Sequence, residues 1–588
     1  MQKDMYTDAL LKGETTEEIT PKDTSEETQP SLGATTAGKY RLEFLLIFIA
    51  MSMAILFLDA VLPLNGLWFH TAMLGQLEAW PLLPTHLLFP GWAVSSSIIQ
   101  SYNPAPPDVT LSWMQVPLLF LAFLLVFLLY LLALRRLPYF INTSIYRYIF
   151  YSTTLLGIIY MLVPVVTSPD IFSYISYARM GVIYHLNPLT TLPTAIQADP
   201  TYVHIYWNTQ PSAYGPGWAA ISCTLQWLTL IFGTQTLLPM ILALRLLGLV
   251  AHLCSTLLIW SIIGRIQHAQ KQISPAKRTC TTLAFAWNPL LLFEACVNAH
   301  NDAVLLLLIL LAIWFLLPGK QTSFASSLLP ATVILALATC LKVNVVVLMP
   351  FVLIFVWKQA GRLKALRMVG LLALVYTGAI MLLYAPFWQG GAILNIFHTN
   401  PTTSRNINTL VEFFSRLYNS LIAASGYPLP PLNDSPAENF THTLSIGTFV
   451  VLYAWLCWRA IRGREALNTL PDLLRWLAGA WFLYCLIGTP WFWPWYMVTF
   501  FGLYAIIAGI DIEKVGRLGS LHLPLAIALL AFSMLSIYCF YAWGPHDSFI
   551  PGLPAFQWAY LRGLWVWLIP LLALWRFPTR KARRNISQ

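Results

Sequence analysis

LLFLAFLLVFLLYLLALRR, residues 118–136, decides the class of fold. Apart from the ring-bearing Tyr130 it carries no polar side chain until Arg135 and Arg136 close it. A helix of about 20 mostly apolar residues crosses the hydrocarbon core of a bilayer, and two arginines mark the end that stays in water. Comparable runs stand at 44–64, 149–166, 368–385, 444–461 and 521–543. Roughly 14 or 15 such runs are readable at spanning length. The whole chain agrees: 588 residues, 58% hydrophobic and 10% charged, where soluble domains carry roughly 25% charged residues. A water-soluble protein is excluded, and the expected fold is an all-α polytopic membrane protein.

Outside the runs the composition changes. Residues 1–38 hold eight acids against three lysines and, Tyr6 apart, no aromatic residue. Such a segment cannot bury a core and reads as a disordered acidic tail. The membrane domain is expected over 39–577, with a short basic tail at 578–588. The net charge of +10 is not a nucleic-acid signature here, because the basic residues flank apolar runs. None of the eight cysteines forms a C-x-x-C pair and all lie in or beside apolar runs, so packing is their expected role.

Lysine and arginine collect in cytoplasmic loops. With the N-terminus inside, the loop 65–111 has no basic residue and lies outside, whereas Arg135, Arg136 and Arg147 return the chain to the inside. Continuing this count puts 25 basic residues inside and five outside, with Arg245 embedded. Both termini are then cytoplasmic, in the cell membrane. One stretch resists: 216–233 and 238–263 both read as helices, yet only an odd number of crossings fits between 215 and 265. The expected answer is a re-entrant or tilted element at 216–232, covered by protein.

This topology gathers the unusual residues on the outer face. Ser168-Pro169-Asp170-Ile171-Phe172-Ser173-Tyr174 opens a long segment that continues through Arg179, Asn187-Pro188 and Tyr214-Gly215-Pro216. Asn298-Ala299-His300-Asn301-Asp302 joins two apolar runs, and Lys342 joins two more. Trp491, Trp493 and Trp495 cluster at another helix end. Each has a plain alternative: Asp170 as a helix cap, 300–302 as a polar hairpin, Lys342 as a snorkelling lysine, the tryptophans as an interfacial belt. Arg245 lies deep in a span and must find a partner, with Asp59 or Glu294 as alternatives. Independent packing accidents would scatter over both faces, and these residues do not.

At these positions the sequence resembles the GT-C superfamily of membrane glycosyltransferases. It is most similar to the bacterial polyprenyl-phosphate-mannose-dependent α-1,6-mannosyltransferases. The matching pieces are Asp170 to Tyr174 with Arg179 and Asn187-Pro188, Tyr214-Gly215-Pro216, Trp287-Asn288-Pro289-Leu290 running into Glu294 and 298–302, Lys342, and Pro490-Trp491 to Tyr496. The resemblance spans about 40–575 and implies a bundle of about 13–15 transmembrane helices with catalytic outer loops. It implies Asp170 as the catalytic carboxylate and a polyprenyl-phosphate sugar as donor, with a glycan or glycolipid as acceptor and the lipid bilayer as surroundings. The aspartate stands in Asp-Ile-Phe rather than a strict Asp-x-Asp, which leaves a divalent metal as an open alternative.

The expected chemistry is inverting sugar transfer. Asp170 serves as general base; Lys342 and Arg245, with Arg179 third, meet the lipid phosphate. Asp302, with His300 and Asn301, orients the sugar or assists Asp170, and Tyr174, Trp491 and Trp493 stack on sugar faces. A lipid or polysaccharide transporter or flippase would share much of this pattern, although no repeat pairs the halves. A lipid-diphosphate glycan polymerase would share the topology as well.

Overall fold

The computed structural model describes residues 34–62, 109–136, 145–163, 167–235, 237–317, 324–359, 362–400, 405–428, 435–463, 467–510, 522–542 and 557–575. The expectations for the acidic tail up to residue 33, and for the basic tail from 578, lie outside these segments. Among the described residues every extended element is helical; only an isolated bridge joins Ile407 to Trp491. An apolar solvent explains this: backbone groups in hydrocarbon must be satisfied within their own segment, which the helix does.

Seven described helices are long and apolar enough to cross a membrane: Arg41–Val61, Val116–Arg136, Leu238–Ala269, Leu363–Phe387, Pro436–Arg462, Leu470–Gly488 and Pro524–Tyr541. Four shorter apolar helices accompany them, at Asp302–Leu316, Ser326–Leu341, Val343–Gln359 and Pro494–Ile510. The first of the two apolar runs that meet at 298–302 is itself divided. The run 281–297 breaks at Trp287, where Asn288 caps a new helix, Pro289–Cys296, by accepting from the Leu290 amide. The next break is at Lys342, whose backbone is extended between Phe324–Leu341 and the turn Val343–Leu348.

The core lies where Asp302–Leu316 packs against Phe324–Leu341, Leu238–Ala269 and Val498–Ile510. Close approach is enforced by small residues, as expected where lipid tails are no less apolar than leucine. A Cβ on Gly248 would stand 2.0 Å from the Ala295 carbonyl, so the long 238–269 helix can touch the short 289–296 helix only with glycine there.

Helix direction sorts the two ends of the bundle. Asp170–Val182, Asp302–Leu316 and Pro436–Arg462 begin at one end, where the breaks gather. The opposite ends carry the cations: Arg265 lies over Trp314, Arg278 over Trp260, and Lys358 Nζ donates to the Gly463 carbonyl. The stretch 216–233 forms the helix Pro216–Thr229 and a final turn to Phe232, packed on Asp170–Val182 and Phe324–Leu341. It is not among the long apolar spans, and its tip exposes Trp227, Ile231 and Phe232.

Candidate active site

The breaks at that end enclose a cavity of about 780 Å³. Asp170, Tyr214, Lys342, Trp491, Trp493 and Arg562 are among its lining residues. Pro169 takes the N-cap position of the 170–182 helix without a side-chain cap bond. Asp170 therefore stands in the first helical turn with its carboxylate free for other partners, and the cap reading of this residue does not describe the fold. The Tyr214 hydroxyl donates to Asp170 Oδ2 at 3.0 Å, and the Trp207 indole nearby also favours the ionised carboxylate. Burial pushes the Asp170 carboxyl up to about 6; the Tyr214 bond, Lys342 and Trp207 hold it from rising further, against a push from Asp302.

Tyr214 reaches Asp170 because of the residue that follows it. The Gly215 amide donates to the Leu341 carbonyl at 3.2 Å, and a Cβ at Gly215 would meet the Cys340 carbonyl oxygen at 2.1 Å. Tyr-Gly-Pro thus docks on the backbone just before Lys342. The helix Pro216–Thr229 then starts at Pro216, where the missing amide costs nothing. One small residue brings Tyr214 and Lys342 to the same cavity.

The turn 298–302 supplies the opposite wall. Asn298 Nδ2 donates to Glu294 Oε2 at 2.9 Å, and Tyr538 donates to Glu294 Oε1 at 2.6 Å. Asn298 Oδ1 accepts from both the amide and hydroxyl of Thr167, three residues before Asp170. The turn needs a positive φ of 55° at Ala299, a conformation that costs a non-glycine residue free energy and is often found at functional sites. His300 stacks on Trp495 with ring centroids 3.7 Å apart, and its Nδ1 is 3.9 Å from Asp170 Oδ2. Burial and Lys342 push the imidazole well below its usual range, so it stands neutral beside the carboxylate. Lys342 Nζ donates to Asp302 Oδ1 and Oδ2 at 2.9 and 2.8 Å and lies 4.1 Å from the Tyr496 ring centroid.

The expected residues therefore divide. Asp170, Lys342, Trp491 and Trp493 line the cavity. Asp302, His300, Asn301 and Tyr174 are buried behind that surface, each no more than 1% exposed; Tyr174 packs edge-on against Tyr214 and Trp218. Arg179 and Arg245 are placed elsewhere, which corrects their expected part in phosphate binding. Arg179 Nε donates to both oxygens of Asp199 at 2.9 and 2.8 Å, and Nη2 donates to the Thr234 carbonyl. Arg245 donates to the carbonyls of Met161, Val163 and Val297. Those carbonyls follow helix ends, where four acceptors lack intrahelical partners. Its guanidinium replaces missing backbone donors at depth and has no exposed surface. Of the two carboxylates expected as its partner, the buried Asp59 lies near enough to interact with its charge.

Sequence reasoning did not pick out Trp207, Tyr541, His442 or Arg562, all on the cavity wall. Arg562 heads the helix Arg562–Trp575, and its Nη2 donates to Glu412 Oε1 at 2.9 Å. Nearby, Arg416 faces Glu438 at 3.7 Å, and Glu438 also accepts from the Asn406 amide and Ser415. The only available signal for Arg562 was its place among the five outside cations. Among the described residues no group of three or more His, Cys, Asp and Glu side chains is placed to hold a metal ion, and both oxygens of Asp302 are occupied by Lys342.

One cavity of the helical bundle thus joins a hydrogen-bonded carboxylate, a lysine and stacked aromatic rings. Residues 88–358 match the family model described as alpha-(1->6)-mannopyranosyltransferase, N-terminal domain, and over this stretch the chain is similar to that mannosyltransferase family. No curated protein and no solved structure matches the chain. The matched stretch includes Asp170, Tyr214, His300, Asp302 and Lys342, and it ends before Trp491 and Arg562.

Proposed function

We propose that the protein transfers mannose, with inversion, from a polyprenyl-phosphate donor to a glycan or glycolipid acceptor at the extracytoplasmic face of the cell membrane. The observation that carries this reading is the Asp170 carboxylate held by Tyr214 in one cavity with Lys342. The acceptor hydroxyl gives its proton to Asp170 as its oxygen forms a bond to the anomeric carbon. On the opposite face the bond from that carbon to the phosphate oxygen breaks, and its electron pair leaves with the phosphate. Lys342 meets the charge that develops there, in surroundings poor in water. The neutral His300, with Asn301 and Asp302, sets the shape and polarity of the wall behind the sugar. Val343 and Ile446, both exposed and apolar, border the cavity beside Lys342, which suits a donor that keeps its tail in lipid. The outward direction of the cavity rests on the basic ends of the helices opposite to it.

Purified protein in proteoliposomes with labelled polyprenyl-phosphate mannose tests the reading. Transfer to an oligomannoside acceptor is expected, with the anomeric configuration of the product opposite to that of the donor by NMR. Retained configuration removes Asp170 as a base in a single displacement. Movement of the labelled lipid across the bilayer without cleavage of its sugar supports a transporter instead.

A further inference from the structure

A buried polar atom that no protein group satisfies is costly, and a bound ligand can remove that cost. Among the described residues, four on the cavity wall carry such atoms: Gln210, Asn344, His442 and Arg562. Three of them lack a partner at a single buried atom, whereas Asn344 lacks one at both Oδ1 and Nδ2. Asn344 is only 7% exposed, so neither atom is left to bulk water. The Tyr484 hydroxyl lies close by without a hydrogen bond of good geometry. A side-chain amide offers donors on one arm and an acceptor on the other. Two adjacent hydroxyls, one accepting and one donating, complement it.

The place of Asn344 in the chain is set by Lys342. The backbone is extended at Lys342, and the Val345 amide donates to the Lys342 carbonyl at 3.2 Å, which opens the turn Val343–Leu348. Val343, between them, is 65% exposed while Asn344 is buried, as the alternation of side chains along an extended chain predicts. Two residues of chain span at most about 7 Å between Cα atoms. A ligand group held at Lys342 therefore brings its immediate neighbours to Asn344.

On the mannosyl-transfer reading, on which this inference rests, the group at Lys342 is the donor phosphate. Of the sugar hydroxyls, the one on C2 is bonded closest to that phosphorus, one carbon beyond the anomeric centre, and the C3 hydroxyl is its neighbour. The configuration at C2 is also what distinguishes mannose from glucose: the C2 and C3 hydroxyls are cis in the first and trans in the second. We propose that Asn344 reads the donor sugar, its amide paired with the hydroxyls on C2 and C3. Nδ2 donates to one oxygen while Oδ1 accepts from the other. Hydrogen bonds at the C2 hydroxyl strengthen in an oxocarbenium-like transition state, so the contact serves selection and rate together. Gln210, the other unpaired amide, belongs to the segment that carries Trp207 and Tyr214 and provides the control.

The test compares mannosyl, 2-deoxy and 6-deoxy donors on a polyprenyl phosphate, with the full chain in proteoliposomes. A 2-deoxy sugar parts from its phosphate more readily in water, because no electron-withdrawing hydroxyl opposes the developing cation. Poorer use of it by the protein therefore reports a lost contact. Wild-type protein is expected to use the 2-deoxy donor about a hundredfold less well in kcat/KM. In Asn344→Leu, which keeps the volume and removes the amide, this ratio collapses to about one or reverses, and Asn344→Ala behaves alike. The 6-deoxy ratio stays at its wild-type value in both. Equal use of the 2-deoxy and mannosyl donors by the wild type overturns the proposal without any variant. A 2-deoxy ratio that survives in Asn344→Leu, or one that collapses in Gln210→Met instead, overturns it too. Affinities of the same donors, from competition against labelled polyprenyl-phosphate mannose, separate this inference from the functional reading. A binding preference for the mannosyl donor that disappears in Asn344→Leu, while no mannose is transferred, leaves the sugar site standing and removes the transferase. Mannose transfer with an unchanged donor ratio in that variant does the reverse.

Discussion

The two ends of the cavity are built on different principles. At the Asp170 end, each polar group comes from a short interruption between helices: 167–170, 214–216, 298–302 and Lys342. These interruptions are legible because Pro, Asn and charged residues break apolar runs, and they fall within the stretch matched by the family model. At the Arg562 end, Glu412, Arg416, Glu438 and Arg562 come from helices beyond that stretch and are joined only through space. Buried ion pairs of this kind are costly to desolvate, and here Arg416 and Arg562 each keep a buried Nε with no hydrogen-bond partner. On the proposed function the first end does the chemistry, and the second lies beyond it along the Trp493 and Tyr541 rings.

Mutations should therefore split into effects on turnover and effects on acceptor affinity. Asp170→Asn is expected to have the largest effect, lowering kcat by about a thousandfold or more while the protein elutes as the wild type does on size-exclusion chromatography. Near-normal turnover in that variant would remove the base. Lys342→Gln comes next, with kcat down about a hundredfold. Its loss should shrink as donors with better leaving groups are used; a constant loss across such a series would place Lys342 outside the leaving-group side.

The pH profile sharpens the same point. Asp170 acts as a base only when ionised, so kcat should fall as pH drops through about 6. The Tyr214 hydrogen bond favours the ionised carboxylate, so Tyr214→Phe should move this acid limb to higher pH and lower turnover by about tenfold. An unmoved limb would mean that another group titrates. At the other end, Trp493→Ala should raise the acceptor KM by about tenfold with a smaller change in kcat and none in the donor KM. A change in kcat alone would erase the distinction between the ends. Arg179→Ala is expected to have the smallest kinetic effect: it lowers the melting temperature by freeing Asp199 and the 199–204 loop, and leaves the donor KM as it is.

Several residues show why sequence reading stops where it does. Arg179 and Arg245 carry the charge that a phosphate would require, and nothing local distinguishes them from Lys342. What separates them is placement: Lys342, though paired with Asp302, lines the cavity, whereas Arg179 is buried on Asp199 and Arg245 among helix-end carbonyls away from it. Asp302 looks like a second catalytic carboxylate, yet Lys342 binds both of its oxygens. Trp207 and Arg562 had no motif around them. The cavity recruits them from segments far apart in the chain, and no spacing rule reports such distances.

What the sequence determined alone is the solvent of this protein and the positions of its breaks. Apolar run length, the flanking cations and the interrupting Pro, Asn and Gly residues are local properties, and a bilayer admits few backbone solutions to them. Which charged groups face the cavity, and which are used to close helix ends or loops, was decided by tertiary structure. A buried charge takes the nearest geometry that satisfies it, and that geometry exists only once the helices have packed.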